Sequence, residues 1–240
     1  MEERLHTGFV LALSPLPMVL ASRKTAMSSK SFLRPTPSPR RINGDFGDAP
    51  IRVLVVDDHP AIRAGIQSVL ATESDFAPVA TAATASDAID QARLLLPVVA
   101  IVHYHLPGRD GLSLTLELKR LPEPPGVLIY SAFADLRLAV GAIVAGADGV
   151  IEKTLGAEDL CAAVRAIVVG LRPMPALSID ALSAIAARVD AEDLPILRML
   201  LNGVPPAEVA QTLGIAGEWL ELRRWAIVRQ VIAPEKLSRG

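Results

Sequence analysis

The chain has 240 residues, a formal charge of −2 at pH 7, and 51% apolar but only 4% aromatic residues. This length forms one large domain or two modest ones, and the composition excludes both general disorder and an overall electrostatic attraction to nucleic acid or anionic membranes. The single cysteine, Cys161, excludes an intramolecular disulfide framework and indicates a reducing, cytoplasmic location.

Residues 1–49 are predicted to be a flexible leader outside the fold. The run "GFVLALSPLPMVLA" has the composition of a signal-peptide core, but it follows the acidic Glu2 and Glu3 and contains two prolines. It is also too short to span a membrane, so no membrane partner is expected. The polar, proline-rich stretch that follows has no helical or strand period. Met27 is an alternative start of translation.

Short apolar runs alternate with segments of helical periodicity from Ile51 to Gly170. This alternation predicts an α/β fold, a doubly wound parallel sheet of five strands. The predicted strands cover 51–58, 76–82, 97–104, 126–132 and 148–153, and the predicted helices cover 60–73, 85–96, 111–121, 135–146 and 156–170.

Polar side chains follow the carboxyl ends of four predicted strands. Asp57 and Asp58 end the first strand, His103 the third, Ser131 the fourth and Lys153 the fifth. Functional groups in open parallel sheets collect where these ends meet. The sequence therefore predicts one site that contains all five side chains.

The motifs "VLVVDDHP", "HLPGRDG", "VLIYSA" and "GADGVIEK" resemble, in order and spacing, the receiver domain of two-component response regulators over residues 51–170. In that family a pair of acids holds Mg²⁺, an aspartate after the third strand accepts a phosphoryl group, and a hydroxyl and a lysine hold the phosphate. The resemblance implies that Asp57 and Asp58 match the acid pair, and that Ser131 and Lys153 match the phosphate-holding residues.

His103 stands at the position that the resemblance assigns to the phosphoacceptor, four residues before the proline of the "LPG" turn. Because an imidazole cannot form an aspartyl phosphate, the pocket is expected to be a degenerate phosphorylation site. The family's aromatic switch, three residues before the lysine, is replaced by Val150. No catalytic residue is expected, and the chain is not expected to be an enzyme.

No cofactor is expected to be required. Asp57 and Asp58 should bind Mg²⁺ weakly, because one of three carboxylates is lost. His59, His103 and His105 lie near them in sequence, which leaves open a transition-metal site, although chance clustering is favoured. A protonated His103 that offsets the acid pair and acts as a structural lock is the favoured alternative, and a pH sensor is an extension of it.

The remaining chain is predicted to contain a linker with one helix, residues 171–189, and a small all-α helix-turn-helix domain, residues 190–240. The stretch "PAEVAQTLGI" is similar to the LuxR-type output domain that follows receivers in the NarL/FixJ subfamily, over roughly residues 190–232. This similarity implies DNA binding, control of transcription and a dimer.

The terminal helix departs from that pattern. Its helical spacing places Leu220, Ile227 and Val231 on a core face, and the domain carries more acids than bases. Affinity for DNA depends on phosphate contacts, so DNA binding is expected to be weakened. Candidate DNA contacts are Arg223, Arg224 and Arg229, and candidate contacts to a protein partner or a second copy are Trp219, Leu222 and Trp225. Two hypotheses follow: a phosphorylation-independent regulator of transcription, and a signalling adaptor that does not bind DNA.

Overall fold

The computed structural model describes residues 33–34 and 50–233. The predicted leader lies outside the described residues except for strand β1, Leu33–Arg34. This strand pairs antiparallel with β9, Arg172–Pro173, with Leu33 opposite Pro173. The expectation that all of residues 1–49 lie outside the fold is therefore wrong at these two positions.

The predicted five-stranded parallel sheet is confirmed, with the strand order β3-β2-β4-β7-β8. Its central strands are rich in Val, Ile and Leu and buried on both faces, as parallel strands covered by helices must be. The strands are β2 (Ile51–Val56), β3 (Phe76–Ala82), β4 (Val99–His103), β7 (Gly126–Ser131) and β8 (Gly149–Glu152). A short hairpin that the sequence did not predict joins β5 (His105–Leu106) to β6 (Arg109–Asp110).

Helices cover both faces of the sheet. Apolar side chains of α1 and α5 form one core, and those of α2, α3 and α4 belong to the other. The predicted start of α2 and the predicted end of α4 agree with the structure because a capping residue defines each. The Thr84 hydroxyl accepts a hydrogen bond from the amide of Asp87 at the start of α2, and Gly146 ends α4 with φ of +86°. These helices are α1 (Pro60–Ala71), α2 (Ala85–Leu95), α3 (Gly111–Leu118), α4 (Leu136–Ala145) and α5 (Ala157–Val168).

The C-terminal helices share the core of the α2–α4 face. Leu220, Ile227 and Val231 are buried there, which confirms the predicted core face of the terminal helix. A methyl group at Gly141 of α4 would lie 2.9 Å from Leu112 Cδ1 and 3.1 Å from Ile232 Cδ1, so α4 and the last helix pack closely. The helices are α6 (Ile179–Ala186), α7 (Leu194–Leu201), α8 (Pro206–Leu213) and α9 (Gly217–Ile232).

No helix within residues 50–233 is long and apolar enough to cross a membrane.

Candidate functional site

The carboxyl ends of β2, β4, β7 and β8 meet at one edge of the sheet, as the parallel topology requires. Lys153 and Asp57 lie in direct contact there, with 2.5 Å between Nζ and Oδ2. The side chain of Asp57 is 1% exposed. The structure therefore brings together the first and last strand ends that the sequence assigned to the site.

Asp57 is held in its ionised form by its neighbours. Its Oδ1 accepts a hydrogen bond from the amide of His59 at 2.9 Å. Burial opposes ionisation, but the hydrogen bond and charge of Lys153, together with the His59 amide, outweigh it and lower the pKa of Asp57. The side chain of Lys153 thus neutralises the carboxylate that lies deepest in the pocket.

His103 ends β4 and is buried, with 7% of its surface exposed. Its Nδ1 lies 3.2 Å from the carbonyl oxygen of Tyr130. A carbonyl only accepts, so Nδ1 carries the proton, and in the neutral ring the lone pair is on Nε2. Burial lowers the pKa of His103, helped by the charge of Lys153 and opposed by the bond to Tyr130. The lowered pKa favours the neutral ring over the protonated lock expected from the sequence, and Lys153 is the cation that lies against Asp57.

Asp58 and His59 complete a compact cluster with Asp57 and His103. The His59 Nδ1 atom lies 2.8 Å from Asp58 Oδ1 and 3.2 Å from Asp57 Oδ1. One donor atom from each of the four residues lies within 4.8 Å of the other three. The exposed His105 is not in this group, although its ring centroid lies 6.0 Å from that of His103.

Ser131 is buried at the end of β7. Its hydroxyl accepts from the amide of Phe133 at 3.3 Å, and its carbonyl accepts from the amide of Lys153 at 2.7 Å. Val150 is also buried, on the strand that leads to Lys153. Both residues thus occupy the strands predicted for them, and the Ser131 hydroxyl bonds to the loop that precedes α4.

Gly111 packs directly against the backbone of His103, a role that was not predicted from the sequence. A Cβ atom at Gly111 would lie 2.4 Å from the carbonyl oxygen of His103, and the Gly111 amide donates to the carbonyl of Tyr104 at 2.6 Å. Only glycine permits this approach of α3 to the end of β4. The signal was present in the motif "HLPGRDG", whose last glycine begins α3.

Arg224, which the sequence makes a candidate DNA contact, is buried, so this arrangement of α9 does not present it to DNA. Its Nε donates to the carbonyl oxygen of Val144 at 2.9 Å, and its Nη1 to Glu221 Oε1 at 2.5 Å. Val144 lies in the last turn of α4, which ends at Gly146. The guanidinium therefore caps the negative end of the α4 dipole.

The other candidate residues of α9 differ in their surroundings. Arg223 pairs with both carboxylate oxygens of Asp193, at 2.6 and 2.7 Å, and its guanidinium lies over the ring of Trp219. Arg229 is exposed. Trp219 and Leu222 are 42% and 68% exposed, as expected. Trp225 is half-buried against the core, so its predicted exposure is corrected.

The chain is similar to a known protein family and to individual proteins of known name. The family model of the response regulator receiver domain matches residues 53–165. The Fimbriae Z protein of Salmonella typhimurium is 27% identical over 183 residues, which cover 73% of this chain and 87% of that protein. The response regulator protein VraR of Staphylococcus aureus is 36% identical over 115 residues, or 48% of this chain. This chain spans 55% of the length of VraR.

The similar solved structures include the following two response regulators. A two-component response regulator of the LuxR family from Aurantimonas sp. SI85-9A1 is 30% identical with a TM-score of 0.50, over 58% of this chain and 97% of that one. RcsB from Salmonella enterica serovar Typhimurium, bound to promoter P1flhDC, has a TM-score of 0.51 over 75% of this chain and 91% of that one. At 20% identity, the second likeness shows the fold alone.

Proposed function

We propose that this chain is a response regulator that acts on transcription without aspartyl phosphorylation, and the match of the receiver-domain family model to residues 53–165 supports this proposal. The observation that carries the proposal is His103, buried at the end of β4 beside Asp57. By the family resemblance this is the position of the phosphoacceptor. An imidazole there cannot form the acyl phosphate on which the usual cycle depends.

Two further features support this proposal. Lys153, which the resemblance assigns to the phosphate, pairs directly with Asp57. Val150, at the position of the aromatic switch, is short and buried. Lys153 thus neutralises Asp57 without a phosphoryl group, and the position of the aromatic switch lacks the side chain that would respond to one.

The test is exposure of the full chain to acetyl phosphate and Mg²⁺, followed by intact-mass measurement. We expect no phosphoryl adduct on the unaltered chain. The variant His103→Asp serves as the matched control, because it restores a carboxylate in the same pocket. A stoichiometric, hydroxylamine-labile adduct on the unaltered chain would contradict the proposal.

DNA is the proposed target of the C-terminal helices. Support comes from the order α7–α8–α9, which is similar to the LuxR-type module, and from the likeness in fold to RcsB, a structure of which contains promoter DNA. Arg223 and Arg224 have partners within the chain, whereas Arg229 is exposed. Reading of DNA by α9 therefore requires its release from α4, and we expect weak affinity from the isolated protein.

A second candidate function is a signalling adaptor that binds a protein partner or a second copy of the chain. The observation that favours it is the exposure of Trp219 and Leu222 on α9, because aromatic side chains are enriched at protein interfaces. In this reading Arg223 and Arg224 are structural and α9 never leaves α4.

Two assays separate these functions: light scattering for self-association and a gel shift on genomic fragments across a salt series. If α9 is a partner surface, Trp219→Ala weakens association, with a hot-spot cost of about 2 kcal/mol. The control is Ile179→Ala on α6, which removes a side chain that is 75% exposed elsewhere. Steeply salt-dependent, sequence-specific DNA binding, unaffected by Trp219→Ala and lost in Arg229→Ala, would favour the DNA-binding regulator.

A further inference from the structure

The receiver pocket carries a donor set that does not suit magnesium. Mg²⁺ requires near-octahedral oxygen ligands and is held by carboxylates and water. Two of the four clustered donors here are imidazole nitrogens, from His59 and His103, and these accompany the carboxylates of Asp57 and Asp58. Mixed imidazole and carboxylate ligands suit Zn²⁺ and neighbouring transition metals. The residues present therefore do not fit the cation that the receiver family implies.

From this mismatch we infer that Asp57, Asp58, His59 and His103 form a binding site for a transition-metal dication of the Zn²⁺ type. Four donors in tetrahedral coordination at about 2.0–2.2 Å from an ion lie roughly 3.3 Å apart. The two described contacts of His59 Nδ1, 2.8 Å to Asp58 Oδ1 and 3.2 Å to Asp57 Oδ1, are already near this spacing. The fourth donor lies within 4.8 Å of the others.

A second observation points to a cation at the same place. The Oδ1 atom of Asp58 is buried, and among the described residues it has no hydrogen-bond donor. His59 Nδ1 lies 2.8 Å away, but only its 3.2 Å contact with Asp57 Oδ1 has the geometry of a hydrogen bond. Two carboxylate oxygens thus face one nitrogen that can satisfy only one of them. A metal ion among these atoms would bond both oxygens and the nitrogen, with the ring proton of His59 on Nε2 instead of Nδ1, and would leave none of the three atoms unsatisfied.

The surroundings of His103 match those of a metal ligand. Ligating histidines commonly donate the proton of one ring nitrogen to a backbone carbonyl, which orients the ring and leaves the other nitrogen for the metal. In His103 this is the contact from Nδ1 to the carbonyl of Tyr130. The site also has an entrance, because the side chain of His59 is 63% exposed while those of Asp57 and His103 are buried.

Lys153 reduces the negative charge of the four-residue cluster but does not occupy the oxygen of Asp57 that faces the other donors. Its Nζ bonds Oδ2 of Asp57, so Oδ1 remains directed to the cluster. Two carboxylates and one ammonium leave a net negative pocket that attracts a dication. The closeness of the histidines in the sequence favoured chance clustering. The short distances among the four donor atoms and the Oδ1 of Asp58, unpartnered among the described residues, favour a metal site instead.

The test is a titration of the full, tag-free chain with ZnCl₂ after chelator treatment, followed by calorimetry and, with Co²⁺, by absorption in the visible region. We expect one ion per chain and a d–d spectrum of four-coordinate Co²⁺. We also expect a raised unfolding midpoint with Zn²⁺ and almost none of these effects with Mg²⁺. His59→Gln, at an exposed position that folding tolerates, should weaken Zn²⁺ binding about tenfold or more.

Two variants complete the test. His103→Gln should weaken Zn²⁺ binding as His59→Gln does, while His105→Gln, the matched control outside the cluster, should leave it unchanged. Zn²⁺ affinity that is equal in the unaltered chain, His59→Gln and His103→Gln would overturn the inference. Mg²⁺ binding as tight as Zn²⁺ binding would also overturn it. This inference does not depend on the proposed function, which the phosphoryl adduct tests separately.

Discussion

Replacement of Arg224 by alanine tests whether α9 is attached to the receiver by a buried cap. The side chain is 4% exposed and has two partners, the carbonyl of Val144 and the carboxylate of Glu221. Its truncation leaves the last turn of α4 without a donor and leaves Glu221 without its cation. We therefore expect Arg224→Ala to destabilise the junction between α4 and α9.

The magnitude follows from these two partners. A cation at a helix C-terminus contributes up to about 2 kcal/mol in a partly buried geometry. Removal of one member of a buried ion pair costs about 3–5 kcal/mol, much of it from the charge left behind. The side chain of Glu221 is 20% exposed, so water screens part of that charge. The lower end applies, and we expect a loss of about 3 kcal/mol in the free energy of unfolding.

The assay is urea unfolding followed by tryptophan fluorescence, because both tryptophans of the chain, Trp219 and Trp225, lie on α9. Arg229→Ala is the matched control, since it removes an exposed arginine from the same helix. It should change the free energy of unfolding by less than about 0.5 kcal/mol. A loss below about 1 kcal/mol in Arg224→Ala would refute the cap, since removal of one member of a buried ion pair costs about 3–5 kcal/mol.

Two other outcomes are expected at the end of β4. In metal-free buffer the folded chain holds fewer protons at His103 than the unfolded chain, because the folded pKa is lowered from 6.5. The contribution of neutral His103 to the free energy of unfolding is therefore fully present above that unfolded pKa and is lost as the pH falls below it. His103→Gln should accordingly flatten the pH dependence of the urea midpoint. Gly111→Ala should cost about 1–3 kcal/mol, because the new methyl meets the backbone of His103, whereas Gly156→Ala, with open space, serves as its control.

The sequence predicted the sheet well because its strands are short β-branched runs whose burial on both faces leaves a local pattern. It also predicted which strand ends meet, since parallel topology dictates it. It could not predict that the two residues Leu33 and Arg34 pair with β9, because so short a strand has no period. The contact between His59 and the two aspartates likewise depends on the turn into α1, and no spacing rule encodes it.

Arg224 shows where the sequence held a signal that went unused. It lies four residues after Leu220 and three before Ile227, and therefore on the core face of α9. An arginine on an apolar face predicts a buried cap or ion pair, although its partner on α4 comes only from the tertiary structure. The burial of Trp225 has a different cause. The prediction assumed that only one face of α9 is covered by another element, whereas α9 packs against α4 as well as α8.

Packed contacts that do not include Val150 join His103 to α9. The carbonyl of His103 lies against Gly111, and the next residue, Leu112, reaches Gly141 of α4, where Ile232 of α9 also packs. Tightly packed groups transmit a displacement only if their elements have two arrangements. A change at His103 would therefore reach α9 by a movement of α3 as a unit. Val150 is too short to carry such a signal by rotation, so coupling between the pocket and the terminal helix through these contacts requires two arrangements of α3.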